Sequence, residues 1–470
     1  MAIYVFSLLT GYFFGGLEYA QGMRYKYLKK LSSPVKYVFT YLPTEGEIQR
    51  YHQVGIGIED MMSAHYFMCG KKFFNSDTHI SNISYFSNQH KVVQEYQVDE
   101  LIYTDFYSYD RETNTSHLSK KTFRYPNGTI AYDIIFDKNG AERYLFPNGE
   151  NCSKQEFLCK FITGLNLTQQ DIVLVDRTGQ SEFIQPLLTC GCKAKIVVFF
   201  HSRHYVEEGE APEFLYLNPA YYCWINNSQL VNTIIVSTDA QKQDIIRLMQ
   251  SYSCHVPNVE VIPASGISTL LYPDEPRKPF SLLTVSRLTA TKKIDLAIKS
   301  VIAAHKINPQ ITLDIYGEGS PEYTSFLKKI VEDHQASSYI RFMGHCDMTN
   351  RYQQYEAYLS TSLGESLGLT LMEATGSGTA MIGFNAKYGN DIFIQNDING
   401  YSSPIDFTQL NNTKYISYFT EKMAENIIRL FQNKEKLHQF QTSSYQIAKN
   451  YLEDIISEKW ITFFEHLLIH

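Results

Sequence analysis

The sequence predicts an α/β protein of two doubly wound halves, the first interrupted by an antiparallel β-meander. Three observations point there: a βα rhythm that opens at Ala2, breaks off near Thr44 and resumes after Glu150; three Asn-Gly turns about ten residues apart inside the break; and a proline-rich joint followed by a second βα series. At 470 residues the chain is too long for one ordinary domain, and with 44% hydrophobic and 19% charged residues it can bury more than one core.

Ala2 to Leu8 reads as a buried strand, Leu17 to Lys30 as an amphipathic helix after a glycine turn, and Val35 to Thr40 as a second strand. Met1 to Leu17 carries no charge. It lacks a basic n-region and is diluted by Ser7, Thr10, Gly11, Gly15 and Gly16, so neither a signal peptide nor a membrane anchor is expected. From Thr44 to Glu150, alternating runs such as Leu101-Ile102-Tyr103-Thr104-Asp105-Phe106-Tyr107 are followed by Asn127-Gly128, Asn139-Gly140 and Asn148-Gly149. Asn-Gly supplies the positive φ that tight hairpins need, so this stretch is a meander and cannot belong to a parallel sheet.

Apolar strands recur at Ile172 to Val175, Lys195 to Phe200, Thr233 to Ser237 and Val259 to Ile262, with a helix from Asp239 to Ser251. The uncharged run Phe214 to Thr238 holds too many amides for hydrocarbon, and no transmembrane helix is predicted. Tyr272 to Pro279 carries three of the fifteen prolines and reads as a linker. Strands follow at Phe280 to Val285, Ile311 to Tyr316, Ile340 to Met343, Ala357 to Ser360 and Ala380 to Phe384, and the chain is helical from about Glu421. The expected organisation is residues 1–43 and 151–275 as one Rossmann-like domain, 44–150 as its insert, 276–440 as a second Rossmann-like domain, and 441–470 as a C-terminal helix. Two such halves place a ligand between them, at the carboxyl ends of their strands.

With 49 acidic residues against 42 Lys and Arg, the formal charge is −7, which gives no basic field for nucleic acid. Eight scattered cysteines match neither a disulfide framework nor a CxxC metal knuckle, and a cytosolic chain with reduced thiols is expected. There is no Asp-x-Asp pair to hold a metal-bound nucleotide, no Walker lysine motif, no G-x-G-x-x-G at the first turn and no G-x-S-x-G elbow. Phosphate charge would have to be met by cationic side chains and helix dipoles.

The stretch Gly364-Glu365-Ser366-Leu367-Gly368-Leu369-Thr370-Leu371-Met372-Glu373-Ala374 runs from a buried strand through glycine into a helix, so the N–H groups near Gly368 to Thr370 form an anion site. Glu373 could accept from the two vicinal hydroxyls of a ribose and Glu365 faces the cleft; the bland alternatives are a helix-start charge and a solvated loop acid. Arg287 and Lys292 follow the first strand of the second half and could neutralise a diphosphate; alone they would read as an exposed basic loop, but they converge with the glycine loop on one strand edge. On the opposite wall, Gly15-Gly16 opens the first helix, and His201 and His204 follow a strand's carboxyl end, where a histidine can be either structural or part of a site.

Ser286-Arg287 with Lys292 five residues on, the turn Tyr316-Gly317-Glu318-Gly319, and Glu365 followed by Glu373 resemble the retaining GT-B glycosyltransferases of family 4. Phe14-Gly15-Gly16-Leu17-Glu18-Tyr19-Ala20-Gln21, the meander, Val198-Phe199-Phe200-His201-Ser202-Arg203-His204-Tyr205 and Lys387-Tyr388-Gly389-Asn390 are similar, more narrowly, to the catalytic GtfA/GtfC-type subunits of the accessory Sec system. The resemblance implies the GT-B fold and a UDP-sugar-dependent protein O-glycosyltransferase. Such an enzyme attaches GlcNAc, or glucose, to Ser and Thr of serine-rich repeat adhesins in the cytoplasm before export.

It also implies that Gly16, Leu17, Glu18 and Tyr19 contact UDP, that His201 contacts the sugar, and that His345 and Cys346 lie by the uridine. Glu365, Ser366, Leu367 and Gly368 would surround the transferred sugar and phosphates, with Leu369, Thr370 and Glu373 completing the donor site. Many members have Glu-Gly-Phe-Gly where this chain has Glu365-Ser366-Leu367-Gly368, a departure at the sugar pocket that leaves GlcNAc or glucose open. The expected catalytic group is Glu365, His201, Arg287 and Lys292, with no metal or other cofactor beyond the UDP-sugar donor. The expected partners are a GtfB-type co-subunit or chaperone and the adhesin acceptor. A homo-oligomer and peripheral association with the inner face of the cell membrane are both compatible with this reading, and nucleic acid is not expected. The rival readings are a wall teichoic acid glycosyltransferase and a non-catalytic chaperone subunit of the same fold. The 35 tyrosines, many in the meander, read either as β-propensity or as a surface for an extended peptide or a partner subunit.

Overall fold

The computed structural model describes residues 1–7, 16–70, 80–87, 91–98, 101–110, 115–137, 139–176, 182–206 and 216–469. The expected strand end at Leu8, the glycine turn and Gly15 lie outside these residues, as does the side chain of Leu17.

In chain order the first half runs β1 (Ile3–Phe6), α1 (Gly16–Leu28), β2 (Val35–Phe39), α2 (Glu45–Gln53), β3 (Met61–Ser63) and α3 (Ala64–Met68). The insert follows as β4 (Ile80–Ser87), β5 (Lys91–Val98), β6 (Leu101–Asp110), β7 (Thr115–Arg124), β8 (Ile130–Phe136), β9 (Glu142–Leu145) and β10 (Asn151–Ser153). The first half resumes with α4 (Lys154–Gly164), β11 (Ile172–Val175), α5 (Ile184–Thr189), β12 (Lys195–Phe199), a hairpin of β13 (Tyr205–Val206) and β14 (Tyr216–Leu217), α6 (Pro219–Asn226), β15 (Thr233–Val236), α7 (Asp239–Ser251) and β16 (Asn258–Val261). Its strands form one parallel sheet in the order β16-β15-β12-β11-β1-β2-β3.

The insert is antiparallel throughout, with β4 to β10 in sequential order. Gly128, Gly140 and Gly149 take φ of 84°, 81° and 87° at its last three turns, the left-handed conformation that called for glycine. The insert starts later than expected. Thr44 and Glu47 form a capping box that opens α2, and β3 pairs parallel with β2 (Tyr37 opposite Met61), so residues 44–63 extend the first parallel sheet. The run Met61-Met62-Ser63 is buried on both faces and too short for its strand character to show in the sequence. Tyr132 and Tyr144 of the insert are buried in a ring stack with His65, Phe123 and Phe157, which fastens the insert to the first half. These tyrosines serve packing.

The second half comprises β17 (Lys278–Val285), α8 (Ile294–Ile307), β18 (Thr312–Tyr316), α9 (Pro321–Asp333), β19 (Ile340–Gly344), β20 (Tyr355–Ser360), α10 (Leu369–Gly376), β21 (Ala380–Asn385), α11 (Gly389–Phe393), β22 (Gly400–Pro404), α12 (Thr413–Gln432), α13 (Lys434–Ala448) and α14 (Glu453–Ile469). Its sheet is parallel in the order β19-β18-β17-β20-β21-β22. Helices α12 and α13 pack on this half, whereas α14 returns to the first: Ile456, Trp460 and Phe464 are buried in its core, and Lys26 of α1 meets Glu453 at 2.7 Å. Residues 441–470 are therefore two helices serving different halves. The first-half core also takes in Leu367, Leu371 and Met372 from the second half, so the apolar contact is continuous beneath the cleft.

Candidate active site

The site is built where the strands β17 and β20 end. Beyond β17 the chain passes through Arg287 to Lys292, in a short 3-10 turn, before α8 begins. Beyond β20 it passes through residues 361–368 into α10, with Gly368 at φ 82° as the residue before the helix. This left-handed cap opens α10, whose first N–H groups have no intrahelical partner and whose Thr370 and Leu371 line the recess. Ser286, Lys292, Tyr358, Ser362, Glu365 and Thr370 line the recess between the two segments.

Lys292 and Glu365 form an ion pair in this recess, and Lys292 Nζ also lies 3.4 Å from Ser362 Oγ. Arg287, at the same strand end, is exposed and has no carboxylate partner among the described residues. The Tyr358 hydroxyl donates to the Val285 carbonyl at 2.9 Å and lies 3.1 Å from Thr370 Oγ1, which ties the β17 end to the first turn of α10. Glu373, one turn further along, accepts from the Tyr352 hydroxyl at 2.7 Å. Burial pushes its carboxyl up to about 7, with the Tyr352 hydrogen bond opposing. Cys346 is half-buried beside Tyr352, on the Glu373 side of the crevice, and His345 is exposed just past β19.

From the first half, α1 faces α10 end to end: a Cβ placed on Gly16 would stand 3.0 Å from Leu369 Cδ1, so glycine allows the two helix N-termini to approach. Glu18 is buried and Tyr19 half-exposed; partial burial first, and the Glu373 charge second, raise the Tyr19 phenol. His201 stands at the end of β12 with Nε2 2.9 Å from Asp176 Oδ1, and Asp176 is itself paired with Arg24 of α1. Burial lowers the His201 pKa more than Asp176 raises it, so the ring is neutral, with Nε2–H donated to Asp176 and Nδ1 left as an acceptor. His204 is different: it is fully buried between Tyr205 and Tyr388, and burial pushes its pKa down to about 4. It is a packing residue of the seam between the halves.

The structure thus brings Gly16, Tyr19, Glu373 and the start of α10 together at one end of the crevice, and Lys292 with Glu365 in the adjoining recess. Ser366 and Leu367 do not expose their side chains: both are buried, and Ser366 Oγ donates to Gln241 Oε1 at 3.0 Å. Four residues that orient the site escape sequence reasoning: Tyr352, Tyr358, Asp176 and Arg24. Asp176 had a signal, a carboxylate directly after the apolar strand Ile172 to Val175; the tyrosines and Arg24 had none. Among the described residues no cluster of His, Cys, Asp and Glu forms a metal site, and no helix is long and apolar enough to cross a membrane.

Two parallel-sheet halves, the second with a Lys–Glu pair beside a glycine-opened helix start at its strand ends, are the architecture of a GT-B glycosyltransferase. Residues 273–447 match the family described as glycosyl transferases group 1. Over 514 aligned positions the chain is 33% identical to the UDP-N-acetylglucosamine–peptide N-acetylglucosaminyltransferase GtfA subunit of Streptococcus pneumoniae, covering 100% of both chains. The chain belongs to this family of GtfA subunits. Its fold superposes on the pneumococcal O-GlcNAc transferase GtfA solved with UDP and GlcNAc with a TM-score of 0.83, at 30% identity, over 100% of this chain and 99% of that one. The TM-score is also 0.83 against a chain of a GtfA/B complex, at 28% identity and with 100% of both chains covered. The poly(ribitol-phosphate) α-N-acetylglucosaminyltransferase of Staphylococcus aureus is more distant, 24% identical over 75% of this chain and 70% of its own.

Proposed function

We propose that this chain transfers N-acetylglucosamine from UDP-GlcNAc, with retention of configuration, to Ser and Thr hydroxyls of a serine-rich repeat adhesin in the cytoplasm, in complex with a GtfB-type co-subunit. The observation that carries the reading is the Lys292–Glu365 pair set against the N-terminus of α10 in the recess at the ends of β17 and β20. A cation and helix amides on one side suit a departing diphosphate, and a carboxylate on the other suits a polyol. GlcNAc is favoured over glucose by the relatives named above.

In this reading Lys292, Arg287 and the amides of Leu369 and Thr370 hold the diphosphate, and no metal ion is needed. Glu373 accepts from the ribose hydroxyls, Gly16 to Tyr19 close over the nucleotide, and His345 and Cys346 flank the uracil. Glu365 orients the sugar and His201 presents its acceptor nitrogen to a sugar hydroxyl. The acceptor oxygen bonds to C1 on the face from which the C1–O bond to phosphate breaks. The bonding pair leaves with UDP, whose β-phosphate oxygen takes the acceptor proton. Positioning and charge complementarity supply the catalysis, without a protein nucleophile.

The test is UDP release from a panel of UDP-sugars, with and without a Ser-rich peptide and the co-subunit. UDP-GlcNAc with peptide is expected to give the highest rate. Peptide-independence combined with transfer to poly(ribitol phosphate) would replace this reading with the teichoic acid one, and UDP-sugar binding without turnover would replace it with the chaperone one.

A second expectation concerns Glu373. With a carboxyl pKa of about 7 it is part-protonated at neutral pH, and ribose hydroxyls donating to it favour the ionised form. UDP binding near pH 7 should therefore release a fraction of a proton. Calorimetry in buffers of different ionisation enthalpy should detect that release in the wild type, and detect less of it in Glu373→Gln.

A further inference from the structure

Helix α7 of the first half turns Gln241 and Asp244, one turn apart, toward two loops of the second half. Ser366 Oγ donates to Gln241 Oε1 at 3.0 Å, and Gln241 Nε2 donates at 2.9 Å to the carbonyl of Ser202, the neighbour of His201. Asp244 Oδ2 accepts from the Tyr388 hydroxyl at 2.9 Å and from Lys387 Nζ at 2.8 Å, while its other oxygen meets Arg247 of the same helix. The backbone N–H groups of Tyr388 and Gly389 both donate to the Glu365 carbonyl, at 2.8 and 2.9 Å. The fit is tight: a Cβ on Gly389 would stand 1.8 Å from the Leu367 carbonyl oxygen. Residues 387–389 are thus the shelf on which the Glu365 loop rests, and the other half of the molecule holds that shelf.

We propose that Asp244 and Gln241 are positioning residues for the transfer reaction, forming a latch that fixes the Glu365 loop through contacts that exist only while the two halves are together. The latch rests on the function assigned above to Glu365. Closure of the cleft and order at the sugar loop are one event in this arrangement, because Asp244 acts on the Glu365 carbonyl through Tyr388. Gln241 joins the same loop, through Ser366, to the segment bearing His201. Neither residue lines the donor recess, so their loss should alter the alignment of the sugar more than the grip on UDP.

The test compares wild type with Asp244→Ala, Asp244→Asn and Tyr388→Phe. Loss of Asp244 leaves Lys387 and Arg247, which are 50% and 71% exposed, free to hydrate, so the variants are expected to fold. Two readouts are taken. Hydrogen exchange of the peptide spanning Ala386 to Asn390 reports the amides bonded to Glu365, and steady-state UDP release is compared with UDP affinity. Asp244→Ala and Tyr388→Phe should speed exchange at Tyr388 and Gly389 about tenfold and lower kcat about tenfold, with the UDP Kd changed less than about twofold. Asp244→Asn, which still offers the Tyr388 hydroxyl an acceptor, should recover part of both. Unchanged exchange in Asp244→Ala and Tyr388→Phe overturns the latch even if the wild type is fully active. Faster exchange in a chain that releases no UDP upholds the latch and overturns the assigned function instead.

Discussion

Lys292→Ala is expected to slow UDP release by about 10²–10³-fold at saturating donor, the range typical for removing one preorganised group from a developing charge. Lys292 is only 16% exposed and its partner Glu365 23%, so both charges act in a recess where water screens them weakly. In the resting protein each neutralises the other. In the proposed reaction the departing diphosphate competes for Lys292, and Glu365 is released toward the sugar as positive character builds at C1. Glu365→Gln keeps the shape and removes that charge, so it should lose activity to a similar degree. The two variants differ in binding: Lys292→Ala should weaken UDP affinity as well, whereas Glu365→Gln leaves the lysine unpaired and should hold UDP at least as tightly as wild type. Arg287, exposed to solvent, should matter less than Lys292. Single-turnover UDP release, with melting temperature as the control for folding, checks all three; a Lys292→Ala enzyme with wild-type kcat would remove the site assignment.

Much of this architecture was legible because local rules and tertiary structure agree. Each Asn-Gly pair of the meander became a turn with a left-handed glycine, and each buried Val/Ile run followed by a capped helix became a βα unit. What was lost lay where a local signal had two meanings or none. Thr44 and Glu47 belong to a capping box, yet sit in a stretch whose later alternation suggested strands, and β3 has only three residues with which to announce itself. The return of α14 to the first half rests on Trp460, whose indole N–H reaches the Pro263 carbonyl 197 residues earlier in the chain, and on Phe464 in the same core, a pairing that no periodicity encodes. At the site, a glycine, a lysine or a glutamate alone has other reasons to stand at a strand end or helix start, and Gly16, Lys292, Glu365 and Glu373 could be singled out only by their convergence on the ends of β17 and β20 and the start of α10. Tyr352, Tyr358 and Asp244 act on those groups from behind, and a tyrosine or an acid on a helix face is too common to single out. Ser366 stands in the sugar-loop motif, and nothing in that motif foretold that its hydroxyl would turn inward to Gln241.

Arg24→Ala should cost about 3–5 kcal/mol of stability, because it leaves a carboxylate buried without its cation. Arg24 and Asp176 are both fully inaccessible to solvent, and the guanidinium also donates to the Ala264 carbonyl at 3.2 Å while lying between the rings of Phe199 and Trp460. Burial alone would raise the Asp176 carboxyl, and the Arg24 charge, with the hydrogen bonds donated by His201 and Arg24, overcomes it and holds the group well below the usual carboxylate range. The depressed pKa sets the sign of the pH dependence: the pair's contribution is present above the unfolded carboxylate pKa and is lost as pH falls toward the folded one. The deficit of Arg24→Ala should therefore be full at pH 7 and shrink progressively below about pH 4. Adding Asp176→Asn to an Arg24→Leu background should recover part of the loss, since removing both charges abolishes the uncompensated burial that either single change creates. The double variant would still be impaired in turnover, because an amide in place of the Asp176 carboxylate no longer requires the His201 tautomer that leaves Nδ1 open to the sugar. Urea unfolding at pH 7 and pH 3, followed by the fluorescence of Trp224 and Trp460, reports the stability deficit and UDP release reports the turnover, and an Arg24→Ala protein as stable as wild type at pH 7 would show that the buried pair contributes nothing to the fold.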